Sequence, residues 1–289
     1  MVPYTPGGIS DGVTREFARF LSEELHQPVL VLNKPGAGGI VGTEFVAAAK
    51  GDGYTLLYGA PGPILINPSL QKKLSYDPMR SFAPVHGFFD SPMVLLANAA
   101  RPYKSVQQLI EHARSNPGAI NYGSPGIGTT PHLAAEALRR AAKIDLVHIA
   151  YKGAPMADLV AGVIDIAFNY SVGSAPLIEA GKIVPLAVTG SQRMSTFPDV
   201  PTFKELGLDA VTVTGPSVIL APSSTPEEIL SKLEVATNAA LAKPALKKFV
   251  EADGSSVMSD LRRSAARDYM KQQIEHFGRL IQESGIAPE

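Results

Sequence analysis

The chain has 289 residues, with 26 Lys plus Arg against 27 Asp plus Glu, a formal charge of -1 and 45% hydrophobic residues, which is apolar material for about two domains. Near-neutral charge without a basic block excludes nucleic acid as the main partner, because phosphate binding needs clustered Lys and Arg. No run reaches the ~20 apolar residues of a membrane span; the absence of Cys removes disulfides, thiolate catalysis and thiolate-held metals, and the six His show no metal-ligand spacing.

Met1-Val2-Pro3-Tyr4 runs into Thr5-Pro6-Gly7-Gly8 without a charged n-region or an apolar h-region. A first strand there is shorter than the usual five or so residues, so the start reads as trimmed from a longer, leader-bearing precursor. Val13, Phe17, Phe20, Leu21 and Leu25 recur at helical spacing and predict an amphipathic helix after Asp11. Val29 to Leu32 predicts the next strand, Asn33 to Gly39 turns the chain into a helix through Ala49, and Tyr54 to Tyr58 reads as a third strand. This alternation is that of a parallel sheet flanked by helices.

A second series starts at Ser105 with a capped helix to Ser115, a strand at Ile120 to Gly123 and a glycine-rich turn. A helix from Thr130 to Ala142 follows, then strands at Leu146 to Ala150, Ile164 to Asn169 and Val184 to Thr189. After residue 226 the chain is helical, with Thr225 a candidate cap and Pro226 in the first turn. The apolar stretches Met93 to Ala97 and Val218 to Ala221 bracket the second series, so the chain crosses twice: residues 1-98 with 219-289 form one lobe, and 99-218 the other.

Two glycine-rich turns stand between a strand and a helix, one per lobe: residues 6-11 and 124-132. Free N–H groups and the dipole at such a start attract an anion, and glycine lets it approach the backbone. Glycine equally serves a plain tight turn, Asp11 fits a helix cap by spacing, and a lone His132 fits a structural role. Tyr4, Tyr151 and Tyr170 stand at strand ends, where open α/β sheets bind ligands, although each also suits packing.

Gly8-Ile9-Ser10-Asp11-Gly12 fits the G-x-S-x-G nucleophile elbow, yet the strands that bring an oxyanion loop to that motif do not precede Ser10. A serine hydrolase built on Ser10 is therefore the lesser alternative. Gly36 to Gly42 misses the dinucleotide pattern by one position and reads as a packing turn, and neither a phosphate-cradling loop nor H-E-x-x-H is present.

Pro3-Tyr4-x-x-Gly7-Gly8-x-x-Asp11, Pro35-Gly36-Ala37-Gly38-Gly39 with Gly42, Asp52-Gly53-Tyr54-Thr55 and Tyr76-Asp77-Pro78 stand in order in the first half. Gly126-x-Gly128-Thr129-x-x-His132, Tyr151-Lys152-Gly153, Asp158-Leu159, Leu186 to Thr189, Pro198 to Thr202 and Glu205-x-Gly207 continue the series. In that order they resemble the Bug-type extracytoplasmic solute receptors, the binding components of tripartite tricarboxylate transport systems.

The resemblance implies an α/β, two-lobed periplasmic binding protein of the type II, flytrap kind, each lobe a mixed, mostly parallel sheet flanked by helices. It implies a monomeric, non-enzymatic receptor without cofactor or metal. Such a receptor captures a small aliphatic or aromatic carboxylate and hands it to membrane permease subunits of a tripartite tricarboxylate transporter; a module that signals to a partner is the other binding alternative. The carried-over ligand residues are Tyr4, Thr5, Gly7, Gly8, Asp11, Ala60 and Pro61, then Ser124, Gly128, Thr129, Thr130, His132, Tyr151, Asn169 and Tyr170. Two departures stand out: Asn169-Tyr170 replaces a frequent Asp-Asn, and Pro216-Ser217-Val218 replaces a frequent Trp-x-Gly in a chain without Trp.

Overall fold

The helix expected after Asp11 starts two residues earlier. In the computed structural model, which describes residues 1-252 and 254-288, α1 spans Ile9–Leu25 and buries Val13, Phe17, Phe20 and Leu21 on one face. It is followed by α2 (Ile40–Ala47), β1 (Leu57–Gly59), α3 (Asn67–Leu70) and β2 (Phe82–Ser91). Next come β3 (Val94–Asn98), α4 (Val106–Ser115), β4 (Asn121–Ser124), α5 (Thr130–Ala142), β5 (Val147–Ala150), α6 (Met156–Ala161), β6 (Ile166–Asn169), α7 (Ala175–Glu179) and β7 (Ile183–Val188). The last elements are β8 (Gly215–Pro222), α8 (Glu227–Leu241), α9 (Pro244–Glu251), β9 (Ser256–Val257) and α10 (Arg263–Ser284).

The chain divides into two units: residues 1-90 with 216-282 form unit 1, and 91-215 with 283-286 form unit 2. The expected borders at 98/99 and 218/219 shift for a physical reason. Strand β3, expected in the first lobe, pairs antiparallel with both β6 and β7 in unit 2, Val94 lying opposite Asn169 and Val188. Conversely, Val218 pairs with Gly59 of β1, which keeps it in unit 1.

Unit 1 carries a sheet of order β1-β8-β2-β9, in which the β1/β8 and β2/β9 ladders are antiparallel. The expected parallel strands at the start and at Val29 to Leu32 reduce to one parallel bridge, Val2 to Asn33. Its hydrogen bonds are Val2 N–H to Leu32 O at 2.8 Å and Lys34 N–H to Val2 O at 2.9 Å. On the other side Met1 donates to Leu56 O and accepts the Tyr58 N–H, and Pro3 lacks the N–H that would continue that row. The core packs α1 and α8 against β2; the rings of Phe17 and Phe88 are 4.8 Å apart and those of Tyr58 and Phe89 5.8 Å apart.

Unit 2 carries a sheet of order β5-β4-β6-β3-β7. Strands β5, β4 and β6 pair in parallel, and β3 is the reversed strand between β6 and β7. Ser105 caps α4 by accepting the Gln108 N–H at 3.2 Å, as its spacing predicts. At α8 the expectation shifts by one residue: Pro226 occupies the cap position, and the Thr225 hydroxyl is buried without a partner.

Candidate functional site

In unit 1 three turns meet around Tyr4. A Cβ on Gly39 would lie 3.3 Å from the Tyr4 ring and 3.2 Å from Pro63, and one on Gly62 would lie 3.3 Å from the Tyr4 hydroxyl. The ring is thus held between the Pro35 to Gly39 turn and the Gly62-Pro63 turn. The first of these has φ of 139°, 45°, 62° and 99° at residues 36 to 39, a left-handed run in which Ala37 alone carries a side chain. The Gly36 to Gly42 segment, expected to be a packing turn, packs closely at Gly39, against Tyr4 and Pro63, and at Gly42, against Lys34 O and Pro3.

Thr5, Gly7 and Gly8 are exposed, and a Cβ on Gly7 or Gly8 would meet nothing within 4 Å. The first rung of α1 is the Gly12 N–H to Gly8 O bond at 3.0 Å. The N–H groups of Ile9, Ser10 and Asp11 therefore precede the ladder, at the positive end of a 17-residue helix. This is an open, anion-attracting backbone start.

Asp11 lies beneath this start. One carboxylate oxygen accepts the Gly7 N–H at 2.9 Å and Arg15 Nε at 3.0 Å; the other accepts Asn33 Nδ2 at 2.9 Å, and Asn33 Nδ2 also reaches Tyr4 O at 3.2 Å. The Arg15 hydrogen bond above all, then those from Gly7 and Asn33, hold its carboxyl at about 2, against the opposing cost of burial. Both oxygens are thus engaged in shaping the loop. Asn33, unflagged in the sequence, completes that lock; its place just before Lys34-Pro35 was the available signal.

Ala60 is fully buried in the unit 1 core and Pro61 is buried at the start of a single wide helical turn, Gly62–Ile66. These two side chains seat the Gly62-Pro63 turn against Tyr4, so the surface at the end of β1 comes from Gly62. Ser10 has none of the surroundings of a nucleophile: its hydroxyl donates to Tyr58 Oη at 3.2 Å, and burial pushes the Tyr58 phenol up. Nor is Ser10 among the residues with positive φ, the strain an elbow serine carries.

In unit 2 the carboxyl ends of β4, β5 and β6 share one edge, with Ser124 opposite Ala150, and the turns after them carry the other expected residues. Gly126 and Gly128, at φ of 141° and 71°, bend the first turn into α5. Thr129 Oγ1 donates to Gly126 O at 2.8 Å, and the first rung of α5 is Leu133 N–H to Thr129 O. The Thr130 and His132 N–H groups are then the donors ahead of the ladder, since Pro131 has none. The Gly128 N–H is already given to His132 Nδ1 at 2.9 Å.

Tyr151 donates its hydroxyl to Asp158 at 2.7 Å, and that bond, with burial, raises its phenol. Asn169 donates to Ser174 Oγ at 3.3 Å, and the Tyr170 hydroxyl stands where a Cβ on Gly215 would be, 2.6 Å away. Thr189 was not flagged as a site residue. It lies at this same edge, its hydroxyl accepting the Met93 N–H at 2.9 Å, and the strand-end rule applied to β7 would have found it.

Among the described residues, no group of three or more acidic or His side chains is placed to hold a metal, and no helix is long and apolar enough to cross a membrane. The pattern of the tripartite tricarboxylate transporter family receptor, TctC, matches residues 13-286. The chain is similar to the solved periplasmic binding protein BugD, with 32% identity, coverage of 100% of this chain and 97% of that one, and a TM-score of 0.87. It is similar to an R. palustris protein solved with adipate, at 30% identity, 100% and 97% coverage and a TM-score of 0.89. It is also similar to MatC from Rhodopseudomonas palustris with bound malate, at 28% identity, 97% coverage of both chains and a TM-score of 0.83.

Proposed function

Since the chain belongs to the tripartite tricarboxylate transporter receptor family, we propose that it is an extracytoplasmic solute receptor for a small aliphatic dicarboxylate. One observation carries the reading: each unit starts a long helix, α1 or α5, from a glycine turn held in shape by polar side chains, Asp11 and Asn33 in one and Thr129 and His132 in the other. What is left over at both starts is backbone N–H, the donor type that suits a carboxylate and costs no reorganisation on binding. Adipate and malate, bound by the two R. palustris neighbours, are both aliphatic dicarboxylates, the ligand class such donors suit.

The contacts in this reading are, in unit 1, the N–H groups of Ile9 to Asp11, the Thr5 hydroxyl and Tyr4, and, in unit 2, the Thr130 N–H and hydroxyl, Tyr151 and Tyr170. Burying a carboxylate costs several kcal/mol without compensating donors, and the N–H groups ahead of each helix ladder are of the kind that compensates it. The receptor acts without chemical turnover, as a monomer, and passes its ligand to membrane permease subunits of a tripartite transporter.

Thermal-shift screening with adipate, malate and benzoate, followed by calorimetric titration of any that respond, tests the reading. A ligand at about 100 times its Kd stabilises the native state by about 2.7 kcal/mol, a rise of a few degrees in Tm for a protein of this size. The expected order is the dicarboxylates above benzoate. No rise with any aliphatic dicarboxylate, or Ser10-dependent ester hydrolysis, overturns it.

A further inference from the structure

Beneath the unit 2 turn lies a stack of rings that the carboxylate reading leaves unused. The imidazoles of His132 on α5 and His148 on β5 are 4.1 Å apart and 14° from parallel, and Tyr122 on β4 continues the stack 4.7 Å from His148. Each imidazole grips a different point of the turn. His132 Nδ1 accepts the Gly128 N–H at 2.9 Å; His148 Nε2 stands 2.7 Å from Ser124 Oγ, which in turn accepts the Gly126 N–H at 3.2 Å. The far end of the stack is anchored, because the Tyr122 hydroxyl donates to Glu136 at 2.7 Å and Glu136 pairs with Arg139 at 2.8 Å.

Accepting at Nδ1 requires a neutral His132 with its proton on Nε2. The surroundings favour that state: burial, then the facing His148, hold its acid form down to about 4, and Glu136 opposes them only partly. Burial lowers His148 as well. The other charged groups around the pair are few. Arg139 shares α5 with Glu136, β4 brings the Tyr122 phenol, the turn at Asp209–Val211 packed on α5 brings Asp209, and β6 brings none.

We propose, resting on the carboxylate reading above, that His132 and His148 are positioning residues, whose neutral rings fix the backbone of the 124-130 turn in its ligand-ready shape without touching the ligand. His132 therefore does not serve as the ligand contact that its place in the motif implies.

The test is calorimetric titration of adipate and malate at pH 7.5 into the full chain and its H132N, H132L, H148Q and H148F variants, with Gly128 amide exchange followed by NMR in ligand-free protein. Asn can supply an acceptor near Nδ1 and Gln a polar group near Nε2, so H132N and H148Q should stay within about 3-fold of the parent affinity. Leu and Phe fill the space but leave a buried polar group unpaired, so H132L and H148F should lose about 10-fold or more. Gly128 exchange should quicken by a similar factor in H132L and not in H132N.

Parent-like affinity in H132L, or an Asn variant no better than the Leu variant, overturns the proposal. Should H132L fail to fold, the parent Gly128 resonance decides: it should move as pH falls through about 4 and stay put in H132N, and a flat response in the parent overturns the proposal. If the parent binds neither adipate nor malate, the carboxylate reading fails separately, and the Gly128 data still show whether the imidazole holds the turn.

Discussion

Replacing Asp11 by Asn removes the charge that organises the first ligand turn while preserving side-chain size. In the folded protein this carboxyl sits at about 2 instead of its ordinary 3.8, chiefly through its hydrogen bond to Arg15. A pKa lower in the folded than in the unfolded state stabilises the native form above the unfolded value, and the contribution disappears as pH falls through the folded value. The difference corresponds to about 2 kcal/mol at pH 7, about half of it gone by pH 3. The Asp11 side chain is only 5% exposed but that of Arg15 is 50% exposed, so solvent screens the pair and about 2 kcal/mol is the upper bound. Urea unfolding of both proteins at pH 7 and pH 3 measures it. D11N should be less stable by about 1–2 kcal/mol at pH 7, with the gap narrowing at pH 3. Equal stability at pH 7, or a gap that does not narrow in acid, refutes the assignment of Asp11 as the charged lock of the turn.

Three other substitutions probe separate parts of the argument. Gly8→Val places a branched side chain over the α1 start from a backbone at φ -82° that tolerates it and into space empty to 4 Å; dicarboxylate affinity should fall about 10-fold or more at unchanged Tm, as a lost charge-assisted hydrogen bond implies. Ala37→Gly relieves a left-handed residue at φ 45° and should raise the urea midpoint by an amount equal to about 0.5–1 kcal/mol, the steric relief minus the entropy of a glycine. Ser10→Ala forfeits only the bond to Tyr58, so adipate affinity should stay within about 3-fold and ester hydrolysis should be absent before and after; the neutral bond it removes is worth about 1 kcal/mol.

Legibility in the sequence followed the periodicity of burial. Helix α5 occupies Thr130–Ala142 as expected because its proline at the second position and its apolar spacing agree. Strand β2 escaped notice because Phe82–Ser91 is buried along nearly its whole length, leaving no alternation to read. The opposite failure occurred at Val29 to Leu32, where alternation is real, with Leu30 79% and Leu32 59% exposed, but the partner segment offers a single bridge. Side-chain pattern reports which face is buried; whether a ladder forms depends on a neighbour that local pattern does not contain.

The same distinction explains the site. Glycine turns before long helices are visible from composition and spacing, and the structure has one before α1, where Gly7 and Gly8 are exposed, and one before α5, where Gly128, Thr130 and His132 are buried. The side chains around them were harder to assign, because a motif gives proximity in sequence and says nothing of the direction in which a polar atom is spent. Asp11 and His132 both stand within four residues of their turns, and both turn inward, onto Gly7 and Gly128 respectively. Their partners Asn33 and His148 come from 22 and 16 residues along the chain, the first hydrogen-bonded to Asp11 and the second stacked on His132. The two units thus reach one solution by different chemistry. In unit 1 an anion holds the turn and can fail only in strong acid. In unit 2 neutral imidazoles hold it, so that of the two turns the one before α5 should loosen first in acid, near pH 4, and the one before α1 only nearer pH 2, an order that turn-specific amide exchange in ligand-free protein reads apart from protonation of the ligand's own carboxylates.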